Sequence, residues 1–224
     1  MAETPSSIIF LHGFASSYEH GWVQSGWVDI LGDEQITIPA IDLPGHGAHE
    51  WQPEDFDDVT STLFAALPGE PPYWAVGFSA GAQQLLRMAV AQPAAFSRLV
   101  LMGISDWIFV EHTADEMIAG LQASADPTDI QLQVFRRLAA TTGNDVASLV
   151  RFLEAPQAPL TTEEVARVTC PVLVIMGERD EAPPATLLEA LPDARLVVLP
   201  GVDHFATPED FGAIDATMRF FDLG

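Results

Sequence analysis

Short apolar runs recur along this chain without alternating in polarity. They fall at residues 7–11, 35–41, 73–78, 98–102, 171–176 and 195–199. Unbroken series of Val, Ile and Leu predict strands buried on both faces, as in a parallel sheet. The longer stretches between them carry apolar residues three and four apart. In 55–67, Phe56, Val59, Leu63, Phe64 and Leu67 share one helical face; in 208–221, Phe211, Ile214, Met218 and Phe221 do the same. Strands alternating with helices predict an α/β fold, a mostly parallel central sheet of about six strands flanked by helices.

Residues 105–168 break this rhythm. They hold three helix-like stretches, 114–123, 129–141 and 145–153, and no strand pattern. A helical insertion between two strands of an open parallel sheet is expected above the carboxyl edge, where ligands bind. The segment is therefore read as a small helical cap within a single domain spanning 1–224. The proline-containing stretch 155–159 returns the chain to the core. No linker, internal repeat or low-complexity tract divides it.

Composition narrows the classes of function. With 48% hydrophobic and 18% charged residues, the 224-residue chain is globular and large enough for one sizeable core. All nine basic residues are arginine, and the formal net charge is −23. That balance disfavours nucleic acid or an anionic membrane as partner, and disfavours strongly anionic substrates. The first residues lack a basic start and a signal-like apolar core, and no apolar run approaches a membrane span. The single cysteine, Cys170, precedes a strand and reads as a buried structural thiol. These features predict a cytoplasmic protein in a reducing compartment.

The chemistry gathers at strand ends. Gly77-Phe78-Ser79-Ala80-Gly81 fits the G-x-S-x-G nucleophile elbow, a sharp turn from strand to helix that lifts a serine hydroxyl clear of the sheet. The strand before it (73–78) and the helix after it (83–91, with Leu85, Leu86, Met88 and Ala89 apolar) supply the context this motif demands. A serine needs a base, and the base needs an acid to hold its tautomer. His204, just after the last strand, is the expected base. His12, His20, His46, His49 and His112 stand in loops, turns or polar surroundings without that placement. Asp180, after the strand 171–176, is the expected acid; Asp106, after the preceding strand, is the alternative, while Glu178 and Asp203 are expected to point elsewhere. The oxyanion needs two N–H donors. Ala80, at the helix start, provides one, and Phe14, in the loop after the first strand, provides the other.

Together Leu11-His12-Gly13-Phe14, Asp42-Leu43-Pro44-Gly45-His46-Gly47, the elbow, Gly177-Glu178-Arg179-Asp180 and Val202-Asp203-His204 resemble the α/β-hydrolase fold superfamily, in that family's order and across nearly the whole chain. The resemblance implies a triad of Ser79, Asp180 and His204, an oxyanion hole at Phe14 and Ala80, and neither metal nor organic cofactor. It departs from the family in lacking the first antiparallel hairpin and in its short cap, which makes it similar to small carboxylesterases. The expected activity is a serine hydrolase cleaving a small to medium carboxylic ester or thioester through an acyl-enzyme, with Trp22, Trp27, Trp107, Phe109 and Phe205 offering an apolar pocket. The partner is then a small-molecule ester. The alternative is a C–C hydrolase or lyase using the same triad, with Arg136, Arg137 and Arg151 available for a polycarboxylate. A non-catalytic binding protein of this fold is the third reading. Acyl and alcohol specificity, oligomeric state and any adaptation to salt are not legible in the sequence.

Overall fold

The computed structural model describes residues 4–111, 113–124, 127–180 and 183–223, so His112 lies outside the described residues. Five strands form one parallel sheet in sequential order: β1 (Ile9–Leu11), β2 (Tyr73–Phe78), β3 (Phe96–Met102), β4 (Val172–Gly177) and β5 (Ala194–Leu199). The run at 35–41, expected as a further strand, makes only one isolated parallel bridge, Ser7 to Thr37. Local chemistry explains the shortfall. Gln35 holds a positive φ of 61°, and Pro39 has no N–H to extend a ladder.

The helices are α1 (Trp27–Asp33), α2 (Val59–Ala66), α3 (Ala80–Ala91), α4 (Asp115–Gln122), α5 (Ile130–Thr142), α6 (Val146–Glu154), α7 (Thr162–Val165), α8 (Ala185–Ala190) and α9 (Phe211–Phe220). Side-chain caps set several starts. Asp58, Asp129, Asp145 and Asp210 each accept a backbone N–H at the first turn of α2, α5, α6 and α9. Each such cap contributes about 1 kcal/mol. The insertion 105–168 holds α4 to α7 and, among its described residues, no strand.

Alternate strand residues feed two cores. Ile9, Leu11, Ala75, Leu99, Leu101, Val172 and Val174 face α2, α3 and the insertion. Ile8, Phe10, Trp74, Val76, Val100, Met102, Leu173 and Ile175 face the other layer, with Trp22, Trp27, Leu31 and residues of α9. In that second core Phe10 meets Trp22 and Trp27 with ring centroids 5.0 and 5.3 Å apart. Buried apolar side chains cover both faces, so the sheet is fixed from both sides and its carboxyl ends make a stable platform. No helix among the described residues is long and apolar enough to cross a membrane.

Candidate active site

β2 ends in the elbow. Ser79 adopts φ 53° and ψ −116°, and its amide still donates to the Met102 carbonyl at 2.8 Å. The ladder thus runs one residue past the strand and holds the turn while the side chain leaves the sheet. The flanking glycines are required by space. A Cβ on Gly81 would enter the carbonyls of Leu11 and His12, and one on Gly77 would lie 2.6–2.7 Å from the backbone of Gly81 and Ala82.

Three side chains from three strand ends meet at this point. Nε2 of His204 lies 3.0 Å from Oγ of Ser79. Nδ1 of His204 lies 3.0 Å from each carboxylate oxygen of Asp180. A carboxylate only accepts, so Nδ1 carries the proton and Nε2 is left to accept from the serine hydroxyl. Asp180 is largely buried, at 7% side-chain exposure, which keeps water from competing for the imidazole N–H. The imidazole sits between the rings of Phe78 and Phe205, at centroid distances of 5.1 and 5.4 Å. Its other neighbour is Gly103, where a Cβ would stand 3.0 Å from the imidazole Cε1.

The competing acids are engaged elsewhere. Asp106 accepts from the amides of Thr186 and Leu187 at 2.9 and 3.0 Å and so caps α8. Glu178 accepts from Gly201 N–H, and Asp203 from Ala206 N–H.

The loop after β1 closes the other side. Among the described residues neither the Phe14 nor the Ala80 amide has a hydrogen-bond partner. His12 is buried beneath this loop; its Nδ1–H donates to the Gly13 carbonyl, and its Nε2 accepts from Leu43 N–H and lies 3.3 Å from Asp42. Burial pushes the Asp42 carboxyl up, but the adjacent His12 ring and the hydrogen bond donated by the Tyr18 amide outweigh it and hold it below the usual range. His46, fully buried against Phe14 and Phe152, is pushed down by desolvation, and then by the proximity of His12, to about 3. It is therefore neutral at pH 7, with Nδ1–H on the Pro44 carbonyl and Nε2 without a partner among the described residues.

The insertion is tied to the same loop. The Asn144 side-chain amide donates to the carbonyls of Ala15 and Ser16 at 2.7 and 2.8 Å, and its oxygen accepts from Gly47 N–H. Ala15 holds a positive φ of 60°, so Asn144 secures a loop that is strained at that residue. No sequence motif announced Asn144.

A cavity of about 180 Å³ opens over Ser79 and His204. Of the aromatics named as pocket candidates, Trp22 and Phe205 stand in its wall; Trp107, Phe109 and Trp27 do not. Trp107 is half exposed, Phe109 packs against the core, and the Trp27 indole N–H donates to the Pro208 carbonyl. The walls that sequence reasoning missed are Val134, Phe135 and Leu138 of α5, and Pro208 and Glu209 after His204. Arg136 and Arg137 lie on α5 beside these residues, but among the described residues no arginine lines the cavity. Among the described residues no three His, Cys, Asp or Glu side chains gather to hold a metal ion.

Residues 8–214 match the alpha/beta hydrolase family, and the chain belongs to it. Among its relatives is the pimeloyl-[acyl-carrier protein] methyl ester esterase of Nitrosomonas europaea, 28% identical over 237 residues that cover 91% of this chain and 92% of that protein. The protein of the same description from Chromobacterium violaceum is 27% identical, over 83% of this chain and 85% of its own length. Among solved structures, MenH from S. aureus shares the fold with a TM-score of 0.71, at 20% identity over 98% of this chain and 94% of that one.

Proposed function

We propose that this protein is a serine hydrolase of small carboxylic esters or thioesters. The observation that carries the reading is the series Ser79 Oγ, His204 Nε2, His204 Nδ1 and Asp180, with both links at 3.0 Å. Ser79 attacks the ester carbonyl carbon as His204 takes its proton, and Asp180 stabilises the imidazolium that forms. The free amides of Phe14 and Ala80 hold the oxyanion, each contributing about 3–4 kcal/mol of transition-state stabilisation. His204 then hands its proton to the departing alcohol. In the second half His204 deprotonates water, which attacks the acyl-enzyme and releases the carboxylic acid and the serine hydroxyl. The serine proton leaves with the alcohol, and the proton that His204 takes from water restores the Ser79 hydroxyl.

The segment 105–168 acts as the cap, because α5 supplies the roof of the cavity. A volume of about 180 Å³ suits an acyl group of a few carbons better than a lipid chain. The esterases among its relatives are described as acting on a carrier-bound ester. Here the segment 105–168 has ten acidic residues and four arginines, which repels a polyanionic carrier and favours a free small-molecule ester. The absence of arginine from the described cavity wall also weighs against a polycarboxylate substrate for C–C cleavage.

Labelling with a fluorophosphonate probe, beside turnover of p-nitrophenyl butyrate, tests the reading. Wild type is expected to label and turn over, and Ser79→Ala to do neither. Equal labelling of the two proteins would refute it.

A further inference from the structure

The catalytic cavity has a neighbour. A more open groove of about 470 Å³ lies beside it, and His20 and Glu209 belong to the walls of both. The two differ in chemistry. Around Ser79 the wall is mostly apolar, with Phe14, Phe135, Leu138 and Phe205. The neighbouring groove presents His20, Gln24, Ser25 and Glu209, with the ring of Phe211 at its edge.

Glu209 is the one acidic side chain among the described residues of either wall, and neither wall carries lysine or arginine. It is exposed, and among the described residues its carboxylate has neither an ion-pair partner nor a hydrogen-bond donor. Phe211 is 84% exposed, so an aromatic face is open beside an unneutralised carboxylate. A carboxylate next to an open ring favours a cation, through charge and through the negative face of the ring. The net charge of −23 draws cations toward the molecule as a whole.

Position in the chain assigns a side. Glu209 follows His204 by five residues, at the end of a 3-10 turn (Thr207–Glu209) between β5 and α9, and His204 is the group that returns a proton to the leaving oxygen. Resting on the hydrolase reading above, we infer that the alcohol part of the substrate carries a positive charge, an ammonium group seated between His20, Glu209 and Phe211, while the acyl part fills the apolar cavity. An ester bearing a carboxylate on its alcohol would meet Glu209 as a like charge.

The test compares butyrylcholine with its uncharged isostere, 3,3-dimethylbutyl butyrate. The ratio of their kcat/KM values cancels effects common to both. In wild type the ratio is expected to be about fivefold in favour of the cation, the upper range for an ion pair open to solvent. In Glu209→Gln it is expected to fall to near one at the same ionic strength. A wild-type ratio of one or less, with the neutral ester turned over, would overturn this inference and leave the hydrolase reading intact. A preference that persists in Glu209→Gln would also overturn it, because the diffuse negative field and not this groove would then be the cause. No turnover of either ester, with no fluorophosphonate label on Ser79, would defeat the hydrolase reading and this inference with it.

Discussion

The floor and the roof of the cavity over Ser79 are built by different means. The floor comes from strand ends, and backbone geometry sets it: Ser79 at φ 53°, Gly103 at φ 60°, and ladder bonds from Ser79 to Met102 and from Gly103 to Ile175 at 2.8 Å. The roof comes from α5, where Val134, Phe135 and Leu138 touch the cavity through non-directional apolar contact. A floor of this kind tolerates almost no displacement, since reacting groups must stay aligned to fractions of an ångström. A roof of apolar side chains tolerates exchange of size for size. On the proposed reading, chemistry and selectivity would be carried by parts of the molecule with different tolerance to change.

Breaking the floor at its acid tests this contrast most severely. Asp180→Asn leaves the shape intact but favours the wrong imidazole tautomer, and kcat is expected to fall roughly 10⁴-fold with little change in KM. A comparable fall in Asp106→Asn would move the acid to that residue. Gly103→Ala presses a methyl group against the imidazole at 3.0 Å in a left-handed backbone, and is expected to lower kcat roughly 10- to 100-fold. Steady-state kinetics on one short ester would measure both. In the roof, Phe135→Ala is expected to retain the fluorophosphonate label and move the preference toward longer acyl chains by about 10-fold, read from an acyl-length series. Loss of labelling in this variant would show that the roof also holds the floor in place.

The mildest test leaves turnover aside. His46 is held at about 3, below its ordinary 6.5, so its neutral form favours the folded state. That contribution is full above about pH 6.5 and is lost as pH falls toward about 3, because the unfolded chain takes up the proton first. Its size is on the order of a few kcal/mol. His46→Phe is expected to melt with a shallower dependence on pH between 7 and 4 than wild type. Parallel curves would refute the assignment.

The same contrast explains what the sequence could disclose. That Ser79, Asp180 and His204 would come together was legible because each stands at a strand end, and the glycines around them answer to space that only backbone contact leaves. Strand β2 was legible to its last residue because it is buried on both faces. The run at 35–41 was misleading: its apolar residues are buried, but a positive φ and a proline deny it a ladder. Trp107 and Phe109 were expected at the pocket, yet whether an aromatic faces a cavity or a core depends on helix placement, which local pattern does not encode. The helix α1 escaped notice because its Gly32 and two aspartates dilute the apolar face of Trp27 and Leu31. Asn144 was invisible for a different reason: its partners, Ala15, Ser16 and Gly47, are distant in sequence and contribute only backbone atoms.

The left-handed backbone at Ser79 also acts as a filter on descent. Position 79 accepts only side chains that tolerate a positive φ, a condition that Asp and Asn meet and that Thr, Val and Ile do not. A lineage starting from this protein can therefore exchange Ser79 for a carboxylate with the turn preserved. The nearest hydroxyl analogue, threonine, is barred by its branched Cβ. The socket, more than the chemistry of the group it holds, decides which new reactions lie one substitution away.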